Sequence, residues 1–93
     1  MERATVRGVR ERTVYVVAEG DAHDSQLLVS ARTWMERDRR TETAAAALHI
    51  HPNTLAYRLR RFGALADRDL TSTGALAEVW LAIQAAGALG LTD

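Results

Sequence analysis

Thr41–Phe62 reads TETAAAALHIHPNTLAYRLRRF, and the order of residue types in it decides the fold. Thr41 is a candidate N-cap, with Glu42 in the first helical turn near the positive end of the dipole. Thr43–Leu48 reads as a short helix of small residues, and the alanines at 44–47 let a second helix cross it closely. His49-Ile50-His51 breaks that helix and carries one apolar plug, Ile50. Pro52 stands where a new helix should begin, because its missing N–H would have no intrahelical partner there anyway. Leu55, Leu59 and Phe62 follow at i, i+4 and i+7, which places them in one buried stripe. A short helix, a plugged turn and a second helix with such a stripe form the helix-turn-helix pattern. Gly63 is a weak point at which the second helix could end.

With that stripe turned inward, the opposite face carries Asn53, Thr54, Ala56, Tyr57, Arg60 and Arg61, with Arg58 at its edge and His51 at its entry. No acid occurs between His49 and Ala66. Such a face suits a major groove, with arginines on phosphates or guanine edges and Asn53 on an adenine or a phosphate. Tyr57 is divided between packing its ring on the helix pair and offering its hydroxyl to a phosphate. The plainer reading of the same arginines is a solvated helix face. Arg37, Arg39 and Arg40, just upstream, could touch flanking phosphates or pair with Glu36, Asp38 and Glu42.

Outward from this stretch, Leu27, Leu28, Ala31, Trp34 and Met35 fall at helical spacing, with Asp24 or Ser25 as the cap and a stop near Arg37–Arg40. Downstream, Thr71–Thr73 offer a cap for a last helix over Gly74–Leu89, whose apolar residues nearly encircle it. A helix apolar all round is buried, by its own domain or by a partner chain. Trp34 and Trp80 are expected in the core. Residues 3–18 are rich in β-branched residues in alternation and read as a short β-hairpin. A lone hairpin is marginal in water, so it needs a cover, a second copy, or a sheet from elsewhere.

Among the 93 residues there is no cysteine, which excludes a disulfide framework, a thiolate metal site and a cysteine nucleophile, and fits a cytoplasmic protein. No apolar run is long enough to span a membrane, and the charged opening residues lead one to expect no secretory signal. His49 and His51 lack carboxylates or cysteines to complete a metal set. No phosphate loop, nucleophile elbow or convergent acid–base set is present, so neither catalysis nor a cofactor is expected. Asp67 and Asp69 flank Arg68 in what reads as a solvated loop. The formal net charge is zero, from twelve basic and twelve acidic residues, and every basic residue is arginine. That balance is uneven along the chain: residues 51–66 hold three arginines and no acid, whereas residues 67–93 hold one arginine and four acids.

The residues His51, Asn53, Thr54, Leu55, Tyr57, Arg58, Leu59 and Arg61 resemble the H-x-N-T-L-x-Y-R-L-x-R motif in the C-terminal helix-turn-helix of PucR/CdaR-type bacterial transcription regulators. Ala77–Ile83 resembles that family's last helix, and the likeness covers about residues 24–89. More loosely, the motif is similar to the Fis-type DNA-binding helix pair. The family commonly has a basic residue where Pro52 and Ala56 stand here, so two phosphate contacts are missing. Its regulators carry a sensing domain, and often a degenerate cyclase-like domain, ahead of this module. Residues 1–20 would then be a hairpin left from a preceding domain, in a fragment or a shortened member, and 21–93 the DNA-binding domain. The expected fold is mainly α, a helix-turn-helix bundle of about four helices with that short N-terminal β-hairpin. The expected function is a DNA-binding transcriptional regulator, with His51, Asn53, Thr54, Tyr57, Arg58, Arg60 and Arg61 at double-stranded DNA. A homodimer on half-sites about 34 Å apart is expected, through the apolar last helix or the hairpin. The rival is a protein-interaction or dimerisation module of helix-turn-helix shape without DNA binding.

Overall fold

In a computed structural model, the described residues are Thr13, Val17 and 22–88, with side chains in the latter span from Gln26 onward. Within the described residues 22–88, four helices follow one another: α1 (Ala22–Glu36), α2 (Thr41–Leu48), α3 (Pro52–Ala66) and α4 (Thr73–Ala88). No strand occurs among the described residues. Most of the expected hairpin lies outside them. Its two described positions, Thr13 and Val17, are helical and buried rather than extended. At these two positions burial outweighs the β preference of the residue types.

α1 begins at Ala22, upstream of the expected cap at Asp24 or Ser25. It buries Leu27, Leu28 and Ala31 and half-buries Trp34 and Met35. It stops as expected, through backbone geometry: Asp38 takes φ 58° and Arg39 φ 61°. The Arg39 N–H donates to Trp34 O at 2.8 Å and the Asp38 N–H to Met35 O at 3.1 Å, which satisfies carbonyls the last turn leaves open. Arg40, in extended conformation, precedes α2, so Thr41 is the first helical residue and not the cap. The same closure ends α2, where His49 has φ 58° and the Ile50 N–H donates to Ala45 O at 3.0 Å.

Two apolar clusters hold the helices. Ala44, Ala45 and Leu55 form the smaller, sealed by Trp34, Leu48, Ile50 and Leu59, and it fixes the α2–α3 corner. The expected plug, Ile50, is in place. The larger cluster joins Val17 and α1 to Phe62 and Ala66 of α3 and to Val79, Ala82, Ile83 and Ala86 of α4. Leu59 packs on both clusters, and α1 is the element in contact with all three other helices.

Gly63 does not end α3, which runs to Ala66 and closes at Asp67, φ 55°. It is buried, and a Cβ there would lie 2.8 Å from the Arg68 carbonyl oxygen, so the chain leaving α3 crosses directly over it. The glycine serves close approach rather than termination. Ser72 caps α4, its Oγ accepting from the Ala75 N–H at 3.3 Å. In the preceding loop, Asp69 Oδ1 accepts from the Thr71 hydroxyl at 2.6 Å and the Thr71 N–H at 2.9 Å. Those two bonds, the hydroxyl first, hold the Asp69 carboxyl below its usual range.

α4 is not buried all round. Ala75, Glu78, Val79, Ala82, Ile83 and Ala86 face inward, while Trp80 is 39% and Leu81 43% exposed. Trp80 is therefore outside the core, contrary to the expectation from its size. Trp34 lies partly within it, and its buried indole Nε1 has no hydrogen-bond partner among the described residues.

Candidate nucleic-acid interface

α3 is held in place at both ends and along its length before any ligand is considered. At its start His51 is in extended conformation, and its Nδ1 accepts from the Asn53 N–H at 2.9 Å. The His51 ring thus replaces the usual serine or aspartate in satisfying an orphan helix donor. Pro52 occupies the first helical turn, as its lack of an N–H allows. Leu55, Phe62 and Ala66 are fully buried on the inner face.

The outer face is uncovered. His51, Asn53, Thr54, Tyr57, Arg60, Arg61 and Ala64 are all exposed, Tyr57 to 52%. On a helix, positions 53, 57, 60, 61 and 64 share one side, so Asn53, Tyr57, Arg60 and Arg61 form a continuous polar and cationic strip. One residue placed there by periodicity sits differently, and Arg58, expected at the edge, stands at the border. Ala56 is half-buried. Arg58 is also half-buried, and its Nη1 donates to Ser30 Oγ of α1 at 3.4 Å. Ser30 is fully buried and in turn donates to the Gln26 carbonyl at 2.9 Å. Arg58 therefore fastens α3 to α1 at the border of the strip.

Arg37, Arg39 and Arg40 are exposed in the α1–α2 turn. Arg68 is not a solvated loop residue. Its side chain is 24% exposed, and its Nε lies 3.2 Å from Oε1 of Glu78, whose own side chain is 8% exposed. The approach is a charge–charge contact rather than an aligned hydrogen bond. Sequence reading passed over this pair. Its one signal was the single carboxylate in α4, placed among residues of the inward stripe. Among the described residues, no group of three or more His, Asp or Glu side chains could hold a metal ion.

This geometry accords with comparisons to known proteins. Residues 27–85 match the model of the PucR C-terminal helix-turn-helix domain. The chain belongs to that family. As a PucR C-terminal helix-turn-helix domain, it is similar to the transcriptional activator PmfR of Paenarthrobacter nicotinovorans. The two are 46% identical over 52 residues, which are 56% of this chain and 11% of PmfR. It is also similar to the DNA-binding transcriptional activator AdeR of Bacillus subtilis, at 34% identity over 62 residues, 67% of this chain and 15% of AdeR. The chain thus spans a small fraction of the length of these relatives. No solved structure matches it. Among the described residues, no helix is long and apolar enough to cross a membrane.

Proposed function

We propose that this PucR-type domain is the DNA-binding part of a transcriptional regulator and that α3 is its recognition helix. The observation that carries the reading is the uncovered strip of Asn53, Tyr57, Arg60 and Arg61 on a helix whose opposite side is locked into the core. Guanidinium groups suit phosphates and guanine edges, because a planar fork donates two parallel hydrogen bonds. Asn53 and Thr54, in the first turn, are placed to read base edges, as the N-terminal residues of a recognition helix do. His51 serves chiefly as the helix cap, and Arg58 chiefly as a tether to α1, so neither is a principal DNA contact.

A module of this size contacts little DNA alone, and a second copy on a paired half-site about 34 Å away would supply the rest. The outer face of α4 is the surface offered for that pairing. The only charged residue of α4, Glu78, is buried, so the exposed side of this helix is neutral. An interaction module without DNA binding would account for α4 but leaves the arginine strip of α3 without a role.

Fluorescence anisotropy with a labelled duplex at two salt concentrations tests the reading. Affinity should fall as salt rises, and replacing Arg60 and Arg61 together with alanine should lower the log–log salt slope by about 0.9 per lost phosphate contact. Affinity indifferent to salt, or untouched in the double variant, would overturn it.

A further inference from the structure

The geometry points to Glu78 as a positioning residue that ties the N-terminal segment to the end of the recognition helix, through Thr13 on one side and Arg68 on the other. The assignment rests on α3 being the recognition helix. Glu78 is unusual where it stands. Its neighbours on the inward face of α4 are Ala75, Val79, Ala82 and Ile83, and an ionised carboxylate taken out of water among such residues costs several kcal/mol unless paired. An apolar side chain would fill that place at less cost. The carboxylate instead meets Thr13 and Arg68. Oε2 accepts from the Thr13 hydroxyl at 2.8 Å, a buried bond spanning 65 residues of sequence, and Oε1 faces Arg68 Nε at 3.2 Å.

Each partner is fixed to a different part of the molecule. Thr13 is fully buried and stands four residues before Val17, which packs in the larger core cluster. Arg68 is joined to the last turn of α3. Its N–H donates to the Gly63 carbonyl at 2.9 Å, and its own carbonyl oxygen fills the space a Cβ on Gly63 would take. A displacement of Thr13 moves its hydroxyl, the shared carboxylate and the Arg68 side chain. The Arg68 backbone passes the change to the turn of α3 that follows Arg60 and Arg61. The position of Thr13 thereby sets the angle at which the arginine strip meets DNA.

Thr13→Val removes the donor at constant shape, and Thr13→Ser retains it. Three readouts are taken on the full chain: thermal midpoint, affinity for a duplex selected from random DNA, and backbone amide shifts by NMR. Thr13→Val should shift the amides of Gly63–Arg68 and weaken DNA binding about threefold to tenfold with an unchanged salt slope, because no phosphate contact is lost. Thr13→Ser should restore both. In an Arg68→Leu background, Thr13→Val should change affinity less, since the route is already cut. A general loss of stability would move the midpoint without that non-additivity. Unmoved Gly63–Arg68 amides, or equal effects in both backgrounds, would overturn the inference. Failure of the unsubstituted chain to bind DNA would instead overturn the recognition-helix reading, and the amide shifts would still report whether the route exists.

Discussion

α3 and α4 are nearly the same length, 15 and 16 residues, and each buries one stripe in the same core. They differ in what they show to solvent. α3 presents Asn53, Tyr57, Arg60 and Arg61, whereas α4 presents Ala77, Trp80, Leu81 and Gln84. A cationic strip gains by meeting a polyanion, because counterions are released. A neutral, partly apolar face gains by meeting another protein surface. The zero net charge of the whole chain conceals this division between a cationic face on one helix and a neutral, partly apolar face on another.

The largest effect that separates the two faces is expected on self-association. Replacing Trp80 and Leu81 together with serine should weaken it by about 2 kcal/mol or more, as loss of a central aromatic anchor does, with the thermal midpoint little changed. Sedimentation equilibrium reads the outcome, and undiminished association would remove α4 from the dimer surface. Next comes Gly63→Ala on the inner side of α3. Helix propensity alone favours alanine by about 1 kcal/mol, but the clash with the Arg68 carbonyl should reverse the sign and cost about 1–3 kcal/mol. Urea unfolding decides between them, and a stabilised variant would show that the crossing is loose. The smallest effect concerns the caps. His51→Ala and Ser72→Ala each remove a side-chain acceptor, at about 1 kcal/mol apiece, and His51→Ser should recover most of the loss. A His51→Ser variant as unstable as His51→Ala would show that the ring does more than cap.

Much of α3 was legible in the sequence because its signals are local. Pro52 at a helix start, the Leu55–Leu59–Phe62 stripe and the plug at Ile50 depend only on helical geometry and near neighbours. The placement of Asn53, Thr54, Tyr57, Arg60 and Arg61 on the open side followed from the same period. Arg58 stands at the edge that periodicity gave it, but its tether, Ser30, comes from a helix that periodicity along α3 cannot place. Gly63 was misread for a similar reason. Its neighbour in space is the backbone of the chain turning back across α3, and that contact leaves no mark in the local pattern. Trp80 was expected in the core, but which side of α4 faces inward depends on how α1 packs against it.

By itself, then, the sequence determined the helices, their order, the turn between α2 and α3 and the family motif, all of which follow from residue periodicity and backbone chemistry within a few residues. Only the tertiary structure decided that Arg58 fastens α3 to α1, that Glu78 is shared by Thr13 and Arg68, and that the charge-free side of α4 faces outward. Each of these depends on groups distant in sequence brought within hydrogen-bonding or packing range. Such contacts are fixed by how whole helices bury their apolar stripes together, which no single stripe specifies.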